Sequence, residues 1–266
     1  MSQAPSASPA ISIITIVLNN PQVAETVASV QSQDFPGRVE LIVIDGASTD
    51  GTLAALAPLR AGITHLVSEP DHGIYDAMNK GLRLATGDIV GILNTGDLFQ
   101  DGHVLSRVAQ AFADPSVELC YGDLVFVRLG NPSVITRYWQ AGPPHPDAFQ
   151  FGWMPPHPTF FVRGAIYGKF GLFDLSYDIA ADIELMLRFL VKYRLKATYI
   201  PKVLVRMRAG GISNRNLRNI FRANLQCRRA FRDLDLPCSP FFIPLKLLRH
   251  AVQLFMRPSR SHVAAG

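Results

Sequence analysis

Four short apolar runs, each followed by a polar or glycine-bearing turn, order the first half of the chain. Residues 11–18 and 39–44 are short and apolar at nearly every position, which reads as buried parallel strands rather than surface helices. Residues 63–68 and 89–93 read as a third and a fourth strand. Between them, Val23, Val27 and Val30 share one helical face behind an Asn20–Pro21 start. Residues 52–60 read as a helix, and Ile74, Ala77, Met78, Gly81, Leu82 and Ala85 mark an amphipathic one that Gly87 ends. This alternation implies βαβ units and an α/β fold with a mostly parallel central sheet flanked by helices. The second half is less regular. It predicts strands over 118–127 and 134–139 and helices over 182–193 and 216–232. Residues 140–158, rich in proline, glycine and aromatics, predict a long loop, ordered or mobile, of the kind that serves as a lid or binding surface.

Composition narrows the setting. A chain of 266 residues, 48% hydrophobic, can build one sizeable core. We expect a disordered leader over 1–10, one domain over 11–235, a basic amphipathic segment over 236–258 and a disordered tail over 259–266. The net charge of +5 suits anionic ligands or anionic lipid. No dense Lys/Arg run with interleaved aromatics precedes the tail, so nucleic acid is not an expected partner. Cys120, Cys227 and Cys238 are odd in number and lack metal-type spacing, which suggests free thiols in a reducing, cytoplasmic setting. No run reaches the roughly 18 apolar residues of a spanning helix.

Two acidic turns close the second and fourth runs, at Asp45 and at Asn94-Thr95-Gly96-Asp97. Ligands of open α/β sheets bind outside the carboxyl ends of the strands, so Asp45 and Asp97 are expected to face one crevice. Asp50 precedes the 52–60 helix and serves its cap, which leaves Asp45 available to a base N–H or a ribose hydroxyl. Asp101 does the same for the helix after His103, which leaves Asp97 as the metal candidate. Mg²⁺ or Mn²⁺ prefers oxygen ligands and often takes one or two carboxylates beside substrate phosphates.

The ordered series Ile14-Thr15…Asn19, Val43 through Thr52, Glu69 through Gly81, Ala85 through Asp88 and Leu93 through Asp97 resembles the family 2 glycosyltransferases. It is most similar to the branch that builds bacterial exopolysaccharide and lipopolysaccharide, such as the colanic-acid-type transferases. The resemblance implies a GT-A fold, a nucleoside-diphosphate sugar donor (a UDP- or GDP-sugar), a divalent metal and inversion at the anomeric carbon. It places Thr15 and Asn19 by the nucleotide, Asp45 on the base, and Asp71 and Asn79 on the donor side. The usual Asp-x-Asp metal signature departs here: Asn94 stands where the first aspartate often lies and Gly96 at the penultimate position, leaving Asp97 as the metal carboxylate.

In the second half, Gly171-Leu172-Phe173-Asp174 followed by Asp182-Ile183-Glu184 resembles the family's acidic segment. Asp182 aligns with the base that deprotonates the acceptor, with Asp178 and Glu184 behind it. His157 matches an acceptor-side position, and a structural histidine is the competing reading. Arg206 and Arg208 precede Gly210-Gly211-Ile212-Ser213, a loop able to close over a diphosphate; a solvated basic turn is the competing reading there. The apolar and basic residues of 239–258 suggest an anionic membrane surface at the inner face of the cell membrane, in keeping with a glycan or lipid-linked acceptor. A terminal helix packed on the domain is the alternative. Two other functions stay open: a sugar-1-phosphate nucleotidyltransferase, which would need a glycine-rich basic loop after the first strand, and a non-catalytic scaffold.

Overall fold

The computed structural model describes residues 8–208, 217–259 and 262. The glycine loop at 210–213, most of the leader and most of the 259–266 tail lie outside the described residues. Among the described residues nine strands form one sheet, in the order β3-β2-β1-β4-β8-β6-β9-β5, with β7 paired to β6. The parallel half comprises β1 (Ile11–Val17), β2 (Val39–Asp45), β3 (His65–Ser68) and β4 (Ile89–Ile92). β5 (Leu98–Phe99) leaves this half to pair antiparallel with β9 (Ala197–Arg208), at the far edge. β6 (Leu119–Arg128) runs parallel to β9, and antiparallel to β7 (Asn131–Trp139) and β8 (Phe161–Arg163).

Alternation along the strands explains the two-sided core. Ile11, Ile13 and Val17 of β1 pack with Leu41 and Val43 of β2 against α1 (Val23–Gln31) and α4 (Val104–Ala111). Ile14, Ile42 and Ile44 face the other way, onto α3 (Ile74–Leu84) and the large second-half cluster. Both faces of the parallel half are therefore dry, as helices on both sides require.

Several expectations shift. α1 starts at Val23, because Asn20 Oδ1 accepts the Gln22 N–H (3.1 Å) in an Asx turn ahead of the helix. The 52–60 helix is α2 (Thr52–Leu56) followed by a 3₁₀ stretch, Ala57–Gly62, with Pro58 in its first turn. Residues 140–158 are not a free lid. Phe149, Trp153 and Met154 are buried, and the indole of Trp153 donates to Ala141 O (2.8 Å). Burying three large apolar side chains outweighs the chain-breaking composition. The 182–193 helix is α6 (Ala181–Met186) continued by a π turn, Leu187–Lys192. β8, the helix α5 (Gly164–Phe170) and the twelve-residue β9 had no counterpart in the sequence pattern. α7 (Leu217–Asp233) and α8 (Phe242–Phe255) close the fold.

Candidate active site

Asp45 is the last residue of β2, opposite Val17 of β1, and is fully buried. Its Oδ2 accepts the Ser48 N–H (3.1 Å) and the Ser68 hydroxyl (2.6 Å), while its Oδ1 is enclosed without a partner. Asn19 sits at φ +48° just past β1. Its N–H donates to Ser48 Oγ (2.7 Å) and its Oδ1 accepts the Thr49 N–H (2.9 Å), which staples the exits of β1 and β2 together. Between them Leu18 stands 62% exposed, an apolar rim above two polar strand ends. Asp71 packs against Gly46 and accepts from Lys80 Nζ (2.7 Å). Thr15 lies two residues inside β1, fully buried, with its hydroxyl unpartnered.

The fourth strand ends in a tight turn. Asp97 N–H donates to Asn94 O (3.0 Å) and Gly96 takes φ +92°, the left-handed third position of a type II turn. That conformation excludes most side chains, so the glycine here answers to backbone geometry. The turn is fixed to its surroundings by Gly96 N–H to Thr26 Oγ1 (3.0 Å) and Thr95 Oγ1 to Ile16 O (2.7 Å). Asp101 accepts the His103 N–H (2.9 Å) in a turn just ahead of α4, whose cap position is His103, and pairs with Arg107, so its carboxylate is engaged locally. Asp97 remains, buried, with Oδ2 unpartnered. Burial pushes its carboxyl up to about 8, against the opposing pull of Arg208. Arg208 ends β9, pairs with Glu25 of α1, and keeps Nη1 enclosed and unpartnered. Asn94 Oδ1 is likewise orphaned. Among the described residues no group of three or more His, Cys, Asp or Glu could cage a metal. One buried carboxylate and one amide oxygen, both lacking partners, fit a hard cation that takes its other ligands from phosphate and water.

A third cluster surrounds Asp182, at the start of α6. The Tyr75 hydroxyl shares its proton between Ile179 O (2.7 Å) and Asp182 Oδ1 (3.0 Å). Burial, then the Asp182 charge, push the Tyr75 phenol well above its ordinary range, so it stays a donor. His157 stacks edge-on against Phe173 (5.7 Å). Burial lowers its pKa, and the nearby Asp182 partly opposes that. The alternative bases are taken: Glu184 is buried in a paired contact with Arg188, and Asp178 accepts from Arg222 and Gln226. Asn79 is engaged as well. Its amide donates to Phe173 O (2.9 Å) and accepts the Phe173 N–H (3.0 Å), which ties α3 to the segment leading to Asp182.

The strand order explains the assembly. β2 and β4 flank β1, and a strand spacing of about 4.8 Å puts Asp45 and the Asn94–Asp97 turn roughly 10 Å apart across its end. Tyr75, in the first turn of α3, starts from the same end of the sheet. Sequence reasoning missed Tyr75, Leu18, Ser48, Ser68 and Glu25. Tyr75 lay inside a recognised motif, but its partner is 107 residues away and no local pattern points to it.

Comparison with known proteins bears on the family and the fold. The profile of Glycosyl transferase family 2 matches residues 12–174. An uncharacterized glycosyltransferase of Mycobacterium tuberculosis is 35% identical over 189 residues, covering 68% of this chain and 69% of the relative. A PGL/p-HBAD biosynthesis glycosyltransferase of Mycobacterium bovis is 30% identical over 214 residues, covering 78% and 80%. Among solved structures, a mannosyltransferase from Pyrobaculum calidifontis in complex with GDP-Man and Mn²⁺ superposes with a TM-score of 0.61 at 21% identity, over 95% of this chain and 71% of that one. TarS residues 1–349 from S. aureus in complex with UDP-GlcNAc gives 0.62 at 16% identity, over 94% and 74%. The fold is GT-A-like, and the chain belongs to glycosyl transferase family 2.

Proposed function

We propose that the chain is an inverting glycosyltransferase that moves a sugar from a nucleoside diphosphate to a hydroxyl of a glycan or lipid-linked acceptor, on the cytoplasmic side, in cell-surface polysaccharide synthesis. One observation carries the reading. Asp45 Oδ1, Asn94 Oδ1, Asp97 Oδ2 and Arg208 Nη1 are buried polar atoms without partners, at or beside the carboxyl ends of β2 and β4. Buried polar atoms are normally paired. A ligand with an N–H at one end and a cation-bearing diphosphate at the other supplies the missing partners, and an extended nucleotide spans the distance.

Asp45 would take the base, Leu18 would cover its apolar face, and Arg208 would face the diphosphate. Asp182 would accept the proton of the acceptor hydroxyl as that oxygen attacks the anomeric carbon. The bond from that carbon to the diphosphate oxygen breaks on the opposite face, and the nucleoside diphosphate leaves with the electron pair. A divalent cation held by Asp97 and Asn94 would offset the charge that develops on the diphosphate. Tyr75 is a positioning residue, fixing one oxygen of Asp182 so that the other meets the acceptor.

The base contact predicts nucleotide choice. Asp45 Oδ2 already holds two donors, which leaves one oxygen for the ligand. Uracil presents a single ring N–H, whereas guanine presents two neighbouring donors and leaves one unpaired at a cost of about 1–3 kcal/mol. Calorimetry with Mn²⁺ present should show UDP binding roughly tenfold or more tighter than GDP. Asp45→Ala should remove the preference; equal or tighter binding of GDP would refute the base contact, and no nucleotide binding at all would refute the function. Tyr75→Phe should lower turnover roughly tenfold with little change in KM, because it loosens the base without touching the donor site. Steady-state kinetics with unchanged turnover would exclude the positioning role.

A further inference from the structure

α8 carries most of its large apolar side chains outward. α8 turns Phe242, Lys246 and Gln253 inward and leaves Leu247, Leu248, Val252, Leu254 and Phe255 exposed, Phe255 at 86%. A helix that only covers a soluble domain buries its apolar stripe. This orientation is held by specific contacts. Lys246 Nζ donates to Asn224 Oδ1 (3.2 Å) and to Cys227 Sγ (3.5 Å), and Phe242 stacks edge-on against Phe231 (5.2 Å). The backbone of Lys246 passes so close to Gly152 that a Cβ there would sit 2.6 Å from the Lys246 nitrogen. Leu248, Val252 and Phe255 recur every three or four residues and so share one face, with Leu247 and Leu254 beside it. α7, which Lys246 grips, adds exposed Phe221 and Leu225. An apolar face of this extent marks an interaction site.

Charge identifies the occupant. No aspartate or glutamate follows Asp235, while Arg249 and Arg257 lie within the apolar stretch and Arg218 beside Phe221. Two copies meeting through α8 would set Arg249 and Arg257 against their own counterparts, and the segment that carries them has no carboxylate to pair them. An anionic bilayer offers both acyl chains and negative headgroups. Among the described residues no helix is long and apolar enough to cross a membrane. We propose that α8 lies flat on an anionic lipid surface, with Leu248 and Phe255 among the acyl chains. This goes beyond the transfer reading and stands without it. It also gives the acceptor side a physical setting. Cys227 neighbours Gln226, whose Oε1 accepts the Ile179 and Ala180 N–H groups (3.1 and 3.2 Å) immediately before α6. The membrane-facing pair of helices thus backs the segment that carries Asp182.

Co-flotation of the full chain with vesicles tests this without any sugar substrate. Vesicles one-third phosphatidylglycerol should bind about tenfold or more tightly than pure phosphatidylcholine, and high salt should erase the difference. Leu248→Glu with Phe255→Glu should abolish flotation while the thermal melt, read by circular dichroism, stays unchanged, since both side chains are exposed. Should that pair unfold the chain, Arg249→Gln with Arg257→Gln serves instead and should weaken binding about tenfold. Failure of the unaltered protein to float with anionic vesicles would overturn the proposal. So would a dimer, detected by light scattering, that the glutamate pair converts to monomer in a protein that does not float.

Discussion

Asp182→Asn should reduce transfer by about a thousandfold, within the 10²–10⁴ that a positioned general base contributes, while nucleotide affinity measured by calorimetry stays the same. Asparagine keeps an oxygen to accept from Tyr75 and has nearly the same volume, so the start of α6 is preserved and only proton acceptance is lost. The neighbouring carboxylates cannot take over, because Glu184 is locked to Arg188 and Asp178 to Arg222 and Gln226. His157 is the one rival. Burial holds its pKa below the ordinary value, so it is a neutral imidazole at pH 7, and it lies within electrostatic reach of Asp182. With Asp182 as the base, His157→Gln should leave substantial turnover. The reverse pattern, with full transfer by Asp182→Asn and none by His157→Gln, would move the base to the imidazole.

The contrast between these two residues shows what was legible in the chain. Asp182 stood out because an acidic pair follows Gly171-Leu172-Phe173-Asp174 in a recognisable order. Its environment did not stand out, because Tyr75, Asn79 and Gln226 reach the segment from α3 and α7, across 94 residues in the case of Asn79. The parallel half was legible for a simple physical reason. Strands buried on both faces must be apolar throughout, and the polar residues that interrupt them at the carboxyl end are the ones a ligand can reach. Asp45, Asn94 and Asp97 fall at those interruptions, and caps at Asp50 and Asp101 removed the competing explanations. In the structure Gly51 and His103 take the cap positions themselves, and Asp50 and Asp101 hold the turns just ahead of them, through Thr52 N–H to Asp50 Oδ1 (3.1 Å) and His103 N–H to Asp101 Oδ1 (2.9 Å), so both carboxylates are still engaged locally.

Beyond residue 118 the code is tertiary. β9 contains Pro201 and exposes part of its length, so neither alternation nor an apolar run marks it, yet it pairs with both β6 and β5. The 140–158 stretch has the composition of a loop and the burial of a core segment, because Phe149 and Trp153 pack edge to face at 5.1 Å beneath Tyr121. α8 carries a basic amphipathic pattern that suggests a membrane surface, while sequence alone leaves open a helix packed on the domain by its apolar side. The Lys246 contacts with α7 and the close approach to Gly152 decide which side faces the domain. Gly96 followed the same logic in reverse: it departs from an acidic signature, and the structure accounts for it by the φ of +92° that the turn demands.

Asp97→Asn should cost at least about a hundredfold in transfer, the scale of removing a group that stabilises developing charge, and it should also change how stability depends on pH. In the native state the Asp97 carboxyl is pushed up to about 8 from an unfolded value near 3.8. Between those two values the folded chain keeps a proton that the unfolded chain has released. This group's contribution to stability is thus fully present below about pH 4 and is lost as pH rises through about 8. Thermal melts at pH 5 and pH 8 should show a larger drop for the unaltered protein than for Asp97→Asn; parallel drops would mean the carboxyl titrates normally. The same proton governs cation binding, since the ligand must be the carboxylate. Mn²⁺ affinity should rise close to tenfold per pH unit below about pH 8 and level off above it. In Asp97→Asn that dependence should vanish together with most of the affinity. A variant that binds Mn²⁺ and nucleotide as tightly as the unaltered protein, with the same pH profile, would remove Asp97 from the site and leave its buried, unpartnered oxygen without a function.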